Sequence, residues 1–73
     1  MQKKLLVLAA GILQVPVIKK AKEMGVYVIA ADGDPNAVGL KYADKAVVVN
    51  ITSEEDVLKV AREEQIDGVI HPC

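Results

Sequence analysis

Four short apolar runs, Leu5–Ala9, Val26–Ala31, Ala46–Val49 and Gly68–His71, constrain this chain more than any other feature. Each is rich in aliphatic residues and lacks the period-two alternation of a strand with one wet face. Such runs predict strands buried on both faces, as in a parallel sheet. Segments with helical spacing lie between them, and strands alternating with helices predict an open parallel sheet with helices on both faces. Right-handed crossovers and the doubly wound pattern then lead to a three-layer, Rossmann-like α/β fold with four strands in the order 3-2-1-4. A doubly wound domain rarely stops at its fourth strand. Residues 1–73 are therefore expected to be one domain, truncated, and a fragment of a longer protein.

The first helix is predicted from Gln14 to Met24. Pro16 suits a first turn, where its lacking N–H costs nothing, and Gly25 suits the left-handed residue that ends a helix. Val17, Ile18, Ala21 and Met24 would share the buried face, with Lys19, Lys20, Lys22 and Glu23 in water. The last helix is predicted from Ser53 to Glu64. Thr52 and Glu55 have capping-box spacing, Glu54, Glu55 and Asp56 load the positive end of the dipole, and Val57, Leu58 and Ala61 would make the buried stripe. Asp32-Gly33-Asp34-Pro35-Asn36 is a turn cluster, and a short helical turn is expected near Ala37–Tyr42.

Composition excludes several classes of function. With 52% hydrophobic residues the chain can build a core, but it has two Tyr and neither Phe nor Trp. Nine Lys and Arg against ten Asp and Glu leave a net charge of −1. Without clustered basic residues or stacking aromatics, no nucleic-acid partner is expected. The apolar stretch Leu5–Ala10 is far shorter than the ~20 residues of a membrane span, so no membrane role is expected. It reads as a buried strand rather than a signal peptide, because Gly11 and a helix follow at once. The single Cys73 has no disulfide partner in the chain, and no Cys/His spacing fits a metal site. A cytoplasmic location is expected.

In a doubly wound sheet the ligand crevice opens at the carboxyl ends of the strands, where the winding reverses. Here that point lies between strands one and four, flanked by Ala9-Ala10-Gly11-Ile12-Leu13-Gln14 and by His71-Pro72-Cys73. The first loop reads A-x-G-x-x-Q where a dinucleotide fingerprint reads G-x-G-x-x-G. It is either a helix N-terminus that receives an anion or a plain turn in which Gly11 supplies an unusual backbone conformation. Asp32, about twenty residues on, stands where an acidic residue would take a ribose hydroxyl, or is an ordinary turn former before Gly33. His71 is a candidate polar contact at the mouth. His71 and Cys73 have no third group to orient them, so no catalytic residue is assigned. Glu54, Glu55, Asp56, Glu63 and Glu64 read as a solvated helix face. The substrate- or nucleotide-binding candidates are thus Ala10, Gly11, Ile12, Leu13, Asp32 and His71.

The stretches Leu5–Pro16, Ala21–Gly25 with Val28-Ile29, Asp32–Ala37, Tyr42-Ala43-Asp44 and Ile66–Ile70 together resemble the N-terminal, pre-ATP-grasp domain of ATP-grasp ligases. The similarity is to carbamoyl-phosphate synthase large-chain-like and phosphoribosylglycinamide formyltransferase- or carboxylase-like members, and it spans essentially the whole chain. It implies a substrate-side lobe of an ATP-dependent carboxylate–amine ligase that packs on an ATP-grasp domain and is not catalytic alone. Its first loop would help to hold the acceptor substrate. ATP and magnesium would be bound by other domains of the parent, so no cofactor is expected in this chain. Two positions depart from the family: Ala9 stands where Gly is usual, and Ile12 where several members carry Gln or Glu. Ile12 cannot hydrogen-bond substrate through its side chain, which leaves the backbone N–H groups of Gly11 to Leu13. Gly11 and Asp32 alone would also suit a small stand-alone nucleotide- or dinucleotide-binding module, and a minimal fold with no ligand is a third reading. Finally, an uncharged edge strand, Gly68–His71, predicts a homo-oligomer. It would join through that strand or by swapping the last helix and strand about a hinge near Asn50–Ser53.

Overall fold

Two strands can be apolar on both faces only if each face is covered, and the order of elements provides this. The computed structural model describes residues 2–71. They form β1 (Lys4–Leu8), α1 (Val15–Glu23), β2 (Tyr27–Asp32), β3 (Lys45–Val48), α2 (Glu54–Glu64) and β4 (Gly68–Ile70), with 3₁₀ turns at Ile12–Gln14 and Val38–Tyr42. All pairings are parallel and the order is β3-β2-β1-β4, the expected α/β Rossmann-like sheet. Val7, Val28 and Ala30 meet Ile18, Ala21 and Leu40 on one face. Leu6, Leu8, Ile29 and Ala31 meet Val60 on the other.

Burial on both faces holds for β1 and β2 but not for the outer strands. β3 is largely exposed and β4 is half-exposed, with Val48 and Val69 open to water. Each outer strand has a neighbour on one side only, and two helices are too few to cover both faces of four strands.

Pro16 stands in the first turn of α1 and Gly25 adopts φ 81°, as the spacing predicts. A 3₁₀ turn from Ile12 replaces the predicted start at Gln14, and Met24, which follows the last helical residue, is exposed rather than part of the buried face. On α2 the cap is Ser53, whose Oγ accepts from the Asp56 N–H at 3.3 Å. Thr52 forms no capping box: its N–H and hydroxyl both donate to Asn50 Oδ1, at 3.0 and 2.6 Å. The buried stripe of α2 runs through Val57, Val60 and Ala61, while Leu58 is exposed. One residue past Val57, Leu58 is turned about 100° off the packed face. Glu64 is not simply solvated either. Its carboxylate pairs with Lys45 and its carbonyl accepts from Lys4 Nζ at 3.1 Å, tying the end of α2 to β3 and β1.

Aspartates bind the strand ends. Asp44 Oδ2 accepts from the Val28 N–H and Asp67 Oδ2 from the Lys4 N–H, both at 2.8 Å. Among the described residues no helix is long and apolar enough to cross a membrane.

Candidate functional site

β1 ends at Leu8, and the chain must turn sharply there to enter α1 on one face of the sheet. The turn is made at Ala9, which adopts φ 69°. A left-handed backbone costs an L-residue roughly 1–2 kcal/mol, so its surroundings must hold it. They do. The Ala9 N–H donates to Ala31 O at 2.8 Å and the Ala10 N–H to Asp32 Oδ2 at 2.7 Å, while Ala10 O accepts from the Gly39 N–H at 2.7 Å. Gly11 is not the residue in an unusual conformation. Its φ of −69° and ψ of 176° are ordinary extended backbone, and a Cβ there would meet nothing within 4 Å. The fold itself does not require glycine at position 11.

Beyond Gly11 the loop turns outward. Ile12 and Leu13 are 71% and 87% exposed, the most open large apolar pair next to one another among the described residues. Gln14, which stands where a dinucleotide fingerprint has its last glycine, is buried beneath them. A concavity of about 420 Å³ opens here, lined by Ala9, Gly11, Ile12, Leu13 and Gln14. Ala10 lies under it, fully buried.

The structure brings Ala10, Gly11, Ile12 and Leu13 into one loop with Asp32 at its base, but it does not aim every candidate outward. The two Asp32 carboxylate oxygens accept from backbone: Oδ2 from the Ala10 N–H at 2.7 Å and Oδ1 from the Asp34 N–H at 2.9 Å. His71 follows Ile70, which pairs with Val7, and is exposed, but it does not line the concavity. Pro72 and Cys73, the rest of the expected crevice wall, lie outside the described residues. Among the described residues no cluster of His, Cys, Asp and Glu could hold a metal ion.

Sequence reading missed Gly39. Nothing in the spacing of Ala37–Tyr42 marks it, yet it touches the site loop through a main-chain hydrogen bond. A larger groove of about 490 Å³ lies elsewhere, between α1 and β4, with Leu5, Val17, Ala21 and Ile70 in its walls. Lys20 is its one charged lining residue, so it offers no convergent chemistry.

The Ala10 N–H, and after it the Asp34 N–H, hold the Asp32 carboxyl below its ordinary value, against partial burial that works the other way. A carboxylate depressed in the folded state adds stability above its unfolded value of about 3.9 and loses it as the pH falls through the folded one. Urea midpoints should therefore decline below about pH 4 less steeply in Asp32→Asn than in the parent chain. Parallel declines would show that Asp32 is not linked to folding.

No protein-family model matches the chain. It is 33% identical over 67 residues to the formate-dependent phosphoribosylglycinamide formyltransferase of Methanocella arvoryzae, covering 92% of this chain and 16% of that protein. It is 32% identical over 69 residues to the enzyme of the same name from Prochlorococcus marinus, covering 94% and 18%. In three dimensions it matches glycinamide-RNase-transformylase T from Mycobacterium tuberculosis with a TM-score of 0.90 at 27% identity. That match covers 97% of this chain and 20% of the other. Phosphoribosylglycinamide synthetase from Anaerococcus prevotii gives 0.87 at 33% identity, covering 100% and 19%.

The chain resembles the N-terminal, Rossmann-like domain of ATP-grasp ligases. The structural match to the Anaerococcus protein takes in the whole of this chain. The chain spans less than one fifth of the length of the curated relatives it matches.

Proposed function

We propose that this chain is the N-terminal, substrate-side lobe of an ATP-dependent carboxylate–amine ligase and is not catalytic alone. The observation that supports the reading is the similarity along almost the whole chain to N-terminal parts of ATP-grasp ligases, with the β1 loop at the carboxyl end of the sheet. Of the two parent types suggested by the sequence, the relatives support the phosphoribosylglycinamide formyltransferase-like one over the carbamoyl-phosphate synthase-like one. In this role Gly11, Ile12 and Leu13 face the acceptor substrate. The absence of a Cβ at Gly11 allows close approach, backbone N–H groups donate, and Ile12 contributes only apolar contact. Asp32 supports the loop from below and His71 lies beside the end of β4. ATP and magnesium would be held by the ATP-grasp domain of the parent. Asp32, with both oxygens on backbone donors, is poorly placed to serve either. A cytoplasmic location fits such an enzyme.

A chimera tests this reading. The matched 67-residue segment of the Methanocella formyltransferase is replaced by this chain, and formyl transfer is assayed. Measurable turnover by the chimera, with none from the 73-residue chain alone, is the expected result. A folded chimera without turnover would count against the reading. Saturable shifts of the Ala10–Leu13 amides on adding NAD, ATP or AMP to the isolated chain would favour the stand-alone nucleotide-binding module instead.

We also propose that the isolated chain self-associates through Gly68–His71. β4 pairs with β1 on one side only, Val69 is half-exposed, and the apolar groove runs alongside. An open apolar edge is a template for a second copy. Light scattering at about 0.1 mM should give at least twice the monomer mass, and Ile70→Lys should lower it. A monomer whose melting is independent of dilution would exclude the contact.

A further inference from the structure

We propose that Asp32 is a positioning residue of the site, acting through the Ala10 peptide on the loop Ala9–Gln14 rather than touching a ligand. The inference deepens the ligase reading above and rests on it for the identity of the site. The backbone of Ala10 is gripped on both sides of its Cα, its N–H by Asp32 Oδ2 at 2.7 Å and its C=O by the Gly39 N–H at 2.7 Å. Ala10 has no exposed surface, so water cannot replace either bond. This grip holds Ala9 at φ 69°, a conformation an alanine leaves when nothing restrains it. Freed, Ala9 would relax to negative φ, rotating the next peptide and swinging Gly11, Ile12 and Leu13 away from their present line.

The geometry of the carboxylate supports positioning over contact. Asp32 Oδ1 is engaged by the Asp34 N–H at 2.9 Å, which orients the carboxylate so that Oδ2 meets Ala10. A ligand hydroxyl approaching Asp32 would have to share both oxygens with backbone donors already in place. The residue two positions after Asp32 thus orients the latch, and Gly39 closes it from the opposite side. In this way the β2–β3 connection sets the shape of the β1 loop.

The test uses the isotope-labelled 73-residue chain and does not depend on any ligand, so it can fail while the chimera works, and the reverse. Asparagine keeps one acceptor oxygen for two donors. In Asp32→Asn the Ala10 amide should exchange about tenfold faster, the loss of one buried hydrogen bond. The amide resonances of Gly11, Ile12 and Leu13 should move, while central-strand amides such as Val7 and Ile29 keep their protection. Asp32→Ala should do the same more strongly. The decisive variant is Ala9→Gly combined with Asp32→Asn. Glycine adopts the left-handed conformation without strain, so the Gly11–Leu13 resonances should return toward their original positions although the Ala10 amide still exchanges fast. Unmoved Gly11–Leu13 resonances in Asp32→Asn would overturn the proposal. Equal loss of protection at Ala10, Val7 and Ile29 would also overturn it, because Asp32 would then only stabilise the whole fold. Failure of glycine at position 9 to restore the loop would remove the link between the latch and the strained residue.

Discussion

Ile18→Ala is expected to remove about half or more of this chain's folding stability in water at room temperature. Ile18 is fully buried, and with Ala21 it is what α1 contributes to the core. Removing three side-chain carbons there costs about 2–5 kcal/mol, the lost transfer energy plus the cavity left behind. Proteins have roughly 0.05–0.15 kcal/mol of stability per residue, which puts a chain of this length at about 4–11 kcal/mol in total. The lower half of that range is the relevant one, because small domains bury a smaller share of their surface. α1 also follows directly on the site loop, so its undocking would disturb fold and site together. Ile18→Val, at a cost of about 0.5–1.5 kcal/mol, should remain folded. Urea titrations followed by circular dichroism decide the matter. A cost below about 1 kcal/mol for the alanine variant would show that α1 adapts to the cavity far better than core helices usually do.

The second large effect is expected at Gly39, which lies outside every motif that the spacing reveals. A Cβ built there would be 2.7 Å from Ala10 O, 3.1 Å from Ala10 C and 3.2 Å from Ala10 Cβ. These are main-chain atoms or the short side chain of a buried residue, so no flexible group can give way. Gly39→Ala must push the 3₁₀ turn Val38–Tyr42 off the β1 loop, which breaks the Gly39 N–H to Ala10 O bond. Forcing extra volume into a packed contact costs about 1–3 kcal/mol. The damage should be local in origin: chemical shifts should move most at Ala9–Leu13 and around Gly39, and least at Val60 on the far face. Wild-type stability with unmoved loop resonances would mean that the turn and the loop are not in the close contact described.

Much of this architecture is legible in the sequence because apolar runs and helix spacing are local signals. Leu5–Ala9 and Val26–Ala31 lie within one residue of the observed β1 and β2, and the strand order follows from right-handed crossovers together with the doubly wound pattern. The misread positions share a physical cause. Thr52 and Ser53 are both good caps, and the choice between them is made by Asn50, which takes both Thr52 donors. Leu58 is more apolar than Val60, yet position on the helix, not hydrophobicity, decides which of them is buried. At the candidate site the spacing places Ala10–Leu13 and Asp32 near one another, but does not show what each of them touches. Asp32 is placed correctly at the end of β2, but whether its carboxylate faces a ligand or the Ala10 N–H depends on a contact 22 residues away in sequence. Likewise the strained backbone falls at Ala9 rather than at the glycine two positions later. A turn seeks glycine when it can, but a sufficiently restrained alanine serves.

The aspartates at the strand ends bear on how the sheet keeps its alignment. Normally the alternation of apolar and polar side chains decides how far one strand slides along the next, because a one-residue slip exposes the core face. β1 and β2 have no such alternation. The central residues on both of their faces are aliphatic, and sliding them by one residue would exchange one apolar set for another. The alignment must come from elsewhere, and each adjacent pair of strands has one carboxylate that supplies it. Asp32 joins β2 to the end of β1, Asp67 joins the start of β4 to β1, and Asp44 joins the start of β3 to β2. A slip at any pair would strand a carboxylate from its N–H partner. In this chain the oily strands provide cohesion, and three acidic side chains at the ends provide alignment.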